Sequence, residues 1–313
     1  MNSLFITKPC PICGSKTFSV LMKSTYHENL TKNDLKEIYS SSSDHMLMDQ
    51  LVKCDSCNLV YINPQVRSDI VMSSYTEAVD ETFIKQNPLR ITTFQRNLLS
   101  LCRRLNIQPT KEKSVLDIGC AGGAFPVAAN NAGFSVVGIE PSRWLSEQAR
   151  NRYGLDIRTG PLEAQDFGMR KFDLITLWDV IEHLTAPVEV IQKSRELLSD
   201  GGLLIVNYPD YDSYACKVFG KRWPFFLSVH LIYFTPDTIR RFLSDQGFEV
   251  ILIRPYWQTL ELGYALERAS AYFGLFKILA KLTRILGLAK LPLRYNMGQT
   301  LLVARKKDET SKL

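Results

Sequence analysis

The sequence has no uncharged apolar stretch near the roughly 18 residues that a membrane-spanning helix needs, which argues against an integral membrane protein. Lys8 and Pro9 interrupt the first ten residues, so no apolar leader core develops, and a soluble cytoplasmic protein is expected. Histidine is scarce, with only four in 313 residues, which confines imidazole chemistry to a few positions. The glycines never take the GxGxxG spacing of a dinucleotide site. The seven cysteines are an odd number, so a closed disulfide framework is not expected. At 45% hydrophobic and 22% charged residues, the chain can bury a full core and has room for one large domain and a smaller one.

Four of the cysteines form two CxxC pairs, Cys10 with Cys13 and Cys54 with Cys57. Reduced thiolates at this spacing can converge on a tetrahedral ion, and four of them close its coordination sphere. A structural zinc site in a ribbon-like module over residues 1–66 is therefore expected, with no catalytic role. The 40 residues between the pairs exceed the usual spacing, so the stretch around 24–50 reads as an extended loop. The alternative is four unrelated buried cysteines. Cys102, Cys120 and Cys216 are scattered and read as small buried apolar residues.

Residues 67–110 read as a linker helix, with Phe94, Leu98, Leu101, Cys102 and Leu105 at three- and four-residue spacings. From residue 111 the chain alternates strand-like and helix-like runs, among them "SVLDIGC", "AFPVAANNAG", "SVVGIEP" and "FDLITLWDVIEHL". Such alternation implies an α/β fold, a parallel sheet covered on both faces, with ligands at the carboxyl ends of its strands. One such end carries Asp117, Gly119, Ala121 and Gly123, and Glu140 closes the next strand. Glycines let a ligand approach the backbone, and a carboxylate can accept both hydroxyls of a ribose. An adenosine-containing cofactor fits better than a dinucleotide, and a plain tight turn is the alternative.

This run resembles class I S-adenosylmethionine-dependent methyltransferases, small-molecule branch. "DIGCAGG" matches the first motif, with Ala121 in place of its middle glycine; "GIEPS" matches the acid that closes the second strand; "FDLITLWDVIEHL" matches the fourth motif. The resemblance covers about 111–255 and returns at "MGQTLLVARK". It implies a Rossmann-like seven-stranded sheet over 111–313, with a helical insertion at 257–295 before the last strand. It also implies S-adenosylmethionine as cofactor, with the turn from Gly119 to Gly123 at its methionine part and Glu140 at its ribose. Leu162 and Glu163 would lie at the adenine edge, and Trp178 and Asp179 beside the sulfonium. Ala121 adds one methyl group near the methionine moiety.

Methyl transfer is an in-line displacement that depends mainly on alignment, but an acceptor hydroxyl or acidic carbon also needs a base. His183 and His230 fall near the expected pocket and are the candidates. His183 has a capping or packing alternative, and the aromatic residues Trp223, Phe225, Phe226 and Tyr233 beside His230 either stack on an acceptor ring or belong to the core. Within the insertion, Leu275, Ile278, Leu279, Leu282, Ile285 and Leu286 repeat at helical spacing, with Lys277, Lys281 and Arg284 on another face. That basic amphipathic segment, 275–290, reads as a peripheral membrane contact, or else as a lid or dimer helix. The final Ser311–Leu313 matches a peroxisomal address if the host is a eukaryote.

A methyltransferase acting on a small-molecule or lipid- or nucleotide-linked sugar-type acceptor is the leading reading. By resemblance of layout, surface-glycan or secondary-metabolite biosynthesis is its setting. The alternatives are an RNA methyltransferase that grips RNA through the zinc module, and a catalytically degenerate scaffold that binds the cofactor. Nucleic acid is disfavoured, because the Asn/Asp-Pro-Pro-aromatic signature of amine methylation is missing and the cysteine segment is not especially basic. Oligomeric state stays open.

Overall fold

The computed structural model describes residues 4–39, 45–76, 79, 81–270 and 274–307, so the Ser311–Leu313 address lies outside the described residues. Seven strands form the central sheet: β1 (Ser114–Ile118), β2 (Ser135–Glu140), β3 (Asp156–Thr159), β4 (Phe172–Trp178), β5 (Leu198–Pro209), β6 (Phe248–Pro255) and β7 (Gln299–Lys306). Their spatial order is β3-β2-β1-β4-β5-β7-β6. The first five run parallel, and β7 is antiparallel to both of its neighbours. This is the α/β, largely parallel sheet that the alternating pattern implied, with the seven strands that the resemblance implied. Strand order reverses between β1 and β4, and connections leaving in opposite directions open a crevice at those two carboxyl ends.

The inner strands read as nearly continuous apolar runs because helices cover both faces. On one face the helix Asn87–Leu105 buries Leu98, Leu101 and Cys102 against Val115, Phe125 and Phe134. Pro88 sits in its first turn, where a missing N–H costs nothing, and Asn106 ends it in a left-handed conformation at φ 53°. On the other face Leu116, Ile175, Leu204, Ile239 and Phe242 form a core that continues into Tyr39, Val52, Leu59 and Tyr61 of the N-terminal segment.

That continuity has a backbone counterpart. The N-terminal strands Phe18–Met22, Leu51–Cys54 and Val60–Ile62 form an antiparallel sheet whose fourth strand, Ile232–Tyr233, comes from beyond β5. The loop between the CxxC pairs is docked on the same region. Leu47 N–H donates to the Phe226 carbonyl at 2.8 Å and Met48 N–H to Ser228 Oγ at 3.1 Å. Asp49, buried, accepts from Tyr26 and Tyr39 hydroxyls at 2.9 and 2.8 Å.

The insertion before β7 holds two helices, Leu262–Ser270 and Leu275–Ile285, on a stem of two antiparallel strands, Gln258–Glu261 and Pro292–Tyr295. Thr259 N–H donates to Thr93 Oγ1 at 3.0 Å, which ties the stem to helix Asn87–Leu105. In the second helix Ala280 is buried, while Leu275, Ile278, Leu282 and Ile285 are exposed. The apolar stripe therefore faces outward and does not cover the sheet. Among the described residues, no helix is long and apolar enough to cross a membrane.

Candidate active site

The turn after β1 takes a left-handed backbone at three positions, two of them glycine. Gly119, Ala121 and Gly123 have φ of 72°, 46° and 81°. At Gly119 a side chain would also meet Val180 Cγ2 at 2.6 Å, so two separate constraints require glycine. Gly119 and Cys120 N–H groups donate to the Ile139 carbonyl at 2.8 and 2.9 Å, which pins the turn to the end of β2. Asp117, buried, accepts from the Thr176 hydroxyl at 2.6 Å and joins β1 to β4. Burial raises the Asp117 carboxyl well above its usual range.

Glu140 ends β2 and faces this turn. Its Oε2 accepts from Ala121 N–H and its Oε1 from Ser142 N–H, each at 2.8 Å. Burial pushes its carboxyl up to about 7, against the pull of those two donors. A carboxylate has about four acceptor positions, so two remain for a ligand with vicinal hydroxyls. The turn is roofed from the N-terminal side: Asn87 Nδ2 donates to the Gly122 carbonyl at 2.9 Å, and a Cβ on Gly122 would collide with Ile84 Cδ1 at 2.1 Å.

At the end of β4, Asp179 adopts φ 54° and its Oδ1 accepts from Asn207 Nδ2 at 2.6 Å and from Gln299 Nε2. Gln299 in turn accepts from Gln258 Nε2, and Gln258 accepts from the Tyr295 hydroxyl at 2.9 Å. The chain of amides connects the strand end to the stem of the insertion. Burial raises Asp179 to about 6, opposed by the Arg90 charge and the Gln299 bond. Trp178 turns into an aromatic cluster with Phe125, Phe94 and Tyr256, at centroid distances of 5.0, 5.1 and 5.6 Å. Leu162 is buried in the core and Glu163 is exposed.

One turn beyond Asp179, the ligating atoms of Glu182, His183 and His230 lie within 4.8 Å of one another. The imidazoles meet edge to face at 4.7 Å. His183 Nδ1 bonds the Val229 carbonyl at 2.9 Å and His230 Nδ1 the Phe225 carbonyl at 2.8 Å. Burial lowers His183 to about 4 and His230 well below its ordinary value, so both rings are neutral near pH 7. Trp223, Phe226 and Tyr233 are buried with Leu51 and Val60, and Trp223 Nε1 donates to the Met297 carbonyl at 2.8 Å. They are core; Phe225 alone of the four is partly exposed.

The four N-terminal thiols also converge within 4.8 Å, with Cys10 Sγ to Cys57 Sγ at 3.6 Å and Cys13 Sγ to Cys54 Sγ at 3.5 Å. These distances are far beyond a disulfide bond and approach the tetrahedral edge of about 3.8 Å set by a zinc–sulfur bond of about 2.3 Å. Gly14 and Asn58, at φ 71° and 62°, turn the chain after each pair. Burial works to raise the Cys54 thiol, but Cys57 and Ser56 N–H groups outweigh it and bring it down to about 7. The donor set fits a thiolate-bound cation.

A model of the family described as "Methyltransferase domain" matches residues 91–253. The chain belongs to this methyltransferase family. The matched methyltransferase domain begins on the roofing helix Asn87–Leu105 and ends on β6. The chain is 33% identical over 131 residues to the ubiquinone biosynthesis O-methyltransferase of Actinobacillus pleuropneumoniae serotype 5b (strain L20), which spans 39% of this chain and 52% of that protein. It is 32% identical over 149 residues to the enzyme of the same name from Histophilus somni (strain 2336), 44% of this chain and 59% of that one. The chain thus spans little more than half the length of these curated relatives. Magnesium protoporphyrin IX methyltransferase from Synechocystis PCC 6803 with bound SAH superposes with a TM-score of 0.47 at 16% identity, covering 74% of this chain and 91% of that one.

Within the methyltransferase domain the structure gathers Asp117, Gly119, Ala121, Gly123 and Glu140 around one turn, and His183 with His230 in a second group. Asn87, Asn207, Gln258, Gln299 and Tyr295 were not anticipated from the sequence. Asn207 had a signal, because it is the polar residue that ends the apolar run "LLIVN" at a strand's carboxyl end. The others come from segments far apart in the chain.

Proposed function

We propose that the protein transfers the methyl group of S-adenosylmethionine to an oxygen of a small-molecule acceptor, including a ring or sugar carried on a lipid or nucleotide. The observation that carries this reading is Glu140, buried at the end of β2, facing the left-handed turn with two acceptor positions to spare. In this reading Glu140 takes the ribose hydroxyls, Gly119 to Gly123 border the methionine part, and Leu162 and Glu163 flank the adenine. Trp178 and Asp179 close the end nearest the sulfur. When bound, the cofactor supplies an electrophilic methyl on a cationic sulfur. The protein aligns the acceptor and excludes water, and the Glu182, His183 and His230 cluster handles the acceptor proton, with a neutral imidazole as base. The name O-methyltransferase borne by the similar proteins supports oxygen as the receiving atom. Calorimetric titration of the full chain with S-adenosylmethionine tests the donor; scoring radiolabelled methyl incorporation across hydroxylated ring and sugar acceptors tests the class.

Two further roles belong to this reading. Cys10, Cys13, Cys54 and Cys57 hold a structural zinc ion, supported by their spacing and convergence. The exposed face of helix Leu275–Ile285 rests on an anionic lipid surface. Its support is the exposed row Leu275, Ile278, Leu282 and Ile285 flanked by exposed Lys277 and Lys281, an apolar face with charge complementary to acidic headgroups.

A further inference from the structure

We propose that Glu182, His183 and His230 form a second metal centre, which binds one divalent first-row cation through Glu182 carboxylate and the two Nε2 atoms. Three features of the cluster point this way. Both imidazoles spend Nδ1 on a backbone carbonyl, so each carries its proton there and presents Nε2 as the acceptor nitrogen. Such bonds fix tautomer and ring direction in metal-ligating histidines. Glu182 is 1% exposed, and neither of its oxygens has a hydrogen-bond partner among the described residues. A buried carboxylate without a partner is costly unless it is neutralised, and a cation within reach of both rings does that. Finally, the three donor atoms lie within 4.8 Å, close enough to share one ion, on two segments held rigidly by β4 and the sheet formed with Ile232–Tyr233.

Two nitrogens and one carboxylate oxygen suit manganese, iron, cobalt or zinc rather than calcium. Three protein ligands leave coordination positions open, and His183 is the partly exposed member of the set. An acceptor hydroxyl bound there would be acidified as metal-bound water is and, because the metal then occupies both Nε2 lone pairs, would release its proton to solvent in place of the imidazole of the metal-free cluster. The resulting oxygen anion takes the methyl, forming an oxygen–carbon bond as the sulfur–carbon bond breaks and its electron pair stays on sulfur. This catalytic role rests on the methyltransferase reading above; the binding of metal does not.

The test uses manganese alone, in the absence of donor and acceptor, on the full chain already loaded with zinc. Manganese is too hard to compete for four thiolates, so the N-terminal cysteines do not confuse the count. Electron paramagnetic resonance should show one manganese bound per chain, weakened by roughly 10- to 100-fold in Glu182→Gln and in His230→Gln. Nitrogen modulation from imidazoles coupled to the bound manganese should appear in wild type, which needs no variant to fold. Absence of manganese binding, absence of nitrogen coupling, or affinity unchanged in a folded Glu182→Gln would each overturn the site. Failure of S-adenosylmethionine binding with manganese binding intact would instead sink the donor reading alone.

Discussion

If the N-terminal cysteines hold the proposed zinc, its removal should damage the acceptor side of the site and spare the donor side. The perturbation is Cys13→Ser, or chelation of the wild type under reducing conditions. The N-terminal segment holds the stretch that carries His230 through four hydrogen bonds besides the strand pairing: Ile62 N–H to the Leu231 carbonyl at 2.9 Å, Leu47 N–H to the Phe226 carbonyl, Met48 N–H to Ser228 Oγ, and Ser228 N–H to the His45 carbonyl at 3.3 Å. At about 1 kcal/mol net for each hydrogen bond, their loss costs about 4 kcal/mol. For a domain of this size that corresponds to a fall in Tm of about 10 °C. The glycine turn and Glu140 are held instead by hydrogen bonds from the turn to the end of β2 and from helix Asn87–Leu105. Metal analysis should find one tightly held zinc per chain. Scanning calorimetry should show the lowered Tm, and titration with S-adenosylhomocysteine should give an affinity within a few fold of wild type. A zinc-depleted protein that melts unchanged, or purified reduced protein without zinc, would refute the reasoning.

Glu140→Ala should weaken S-adenosylhomocysteine by about 100-fold, since two hydrogen bonds to a carboxylate are worth about 3 kcal/mol together; calorimetry checks this, and an unchanged affinity removes the ribose assignment. Burial raises the folded Glu140 carboxyl to about 7 from the ordinary 4.5, so its stabilising contribution is complete below about 4.5 and is lost as pH rises through 7. The Tm of Glu140→Gln relative to wild type should therefore climb between pH 5 and pH 8, and a constant difference would contradict the buried-carboxyl account. Gly119→Ala places a side chain at φ 72° against Val180, at a cost of about 1–3 kcal/mol, and should lower both Tm and cofactor affinity. Replacing Lys277 and Lys281 with Glu should abolish sedimentation with anionic vesicles while leaving cofactor affinity intact; sedimentation indifferent to the change would dismiss the lipid surface.

Much of the architecture was legible because its signals are local. Alternating apolar runs from Val115 to Val206 reflect strands buried on both faces, and the turn residues Gly119 and Gly123 announce a backbone that other side chains resist. The CxxC pairs are local as well. What was not legible depends on chain segments meeting across long separations. Nothing in "LIYF" says that Ile232–Tyr233 will complete a sheet begun near residue 18, or that Trp223 and Tyr233 will be enclosed by Leu51 and Val60. Likewise the network from Asp179 through Gln299 to Gln258 and Tyr295 joins residues up to 120 positions apart. The insertion shows the opposite limit. Its apolar periodicity is real, but periodicity alone does not say which face is covered, and the structure turns that face outward.

In the proposed function the turn and Glu140 hold S-adenosylmethionine for methyl transfer. Calorimetric titration of the full chain with S-adenosylmethionine, S-adenosylhomocysteine and NAD tests it most directly. Micromolar binding of the first two, one per chain, and no binding of NAD are expected. Absence of binding by both methionine-derived ligands to folded, zinc-loaded protein would contradict it and leave "DIGCAGG" as a structural turn.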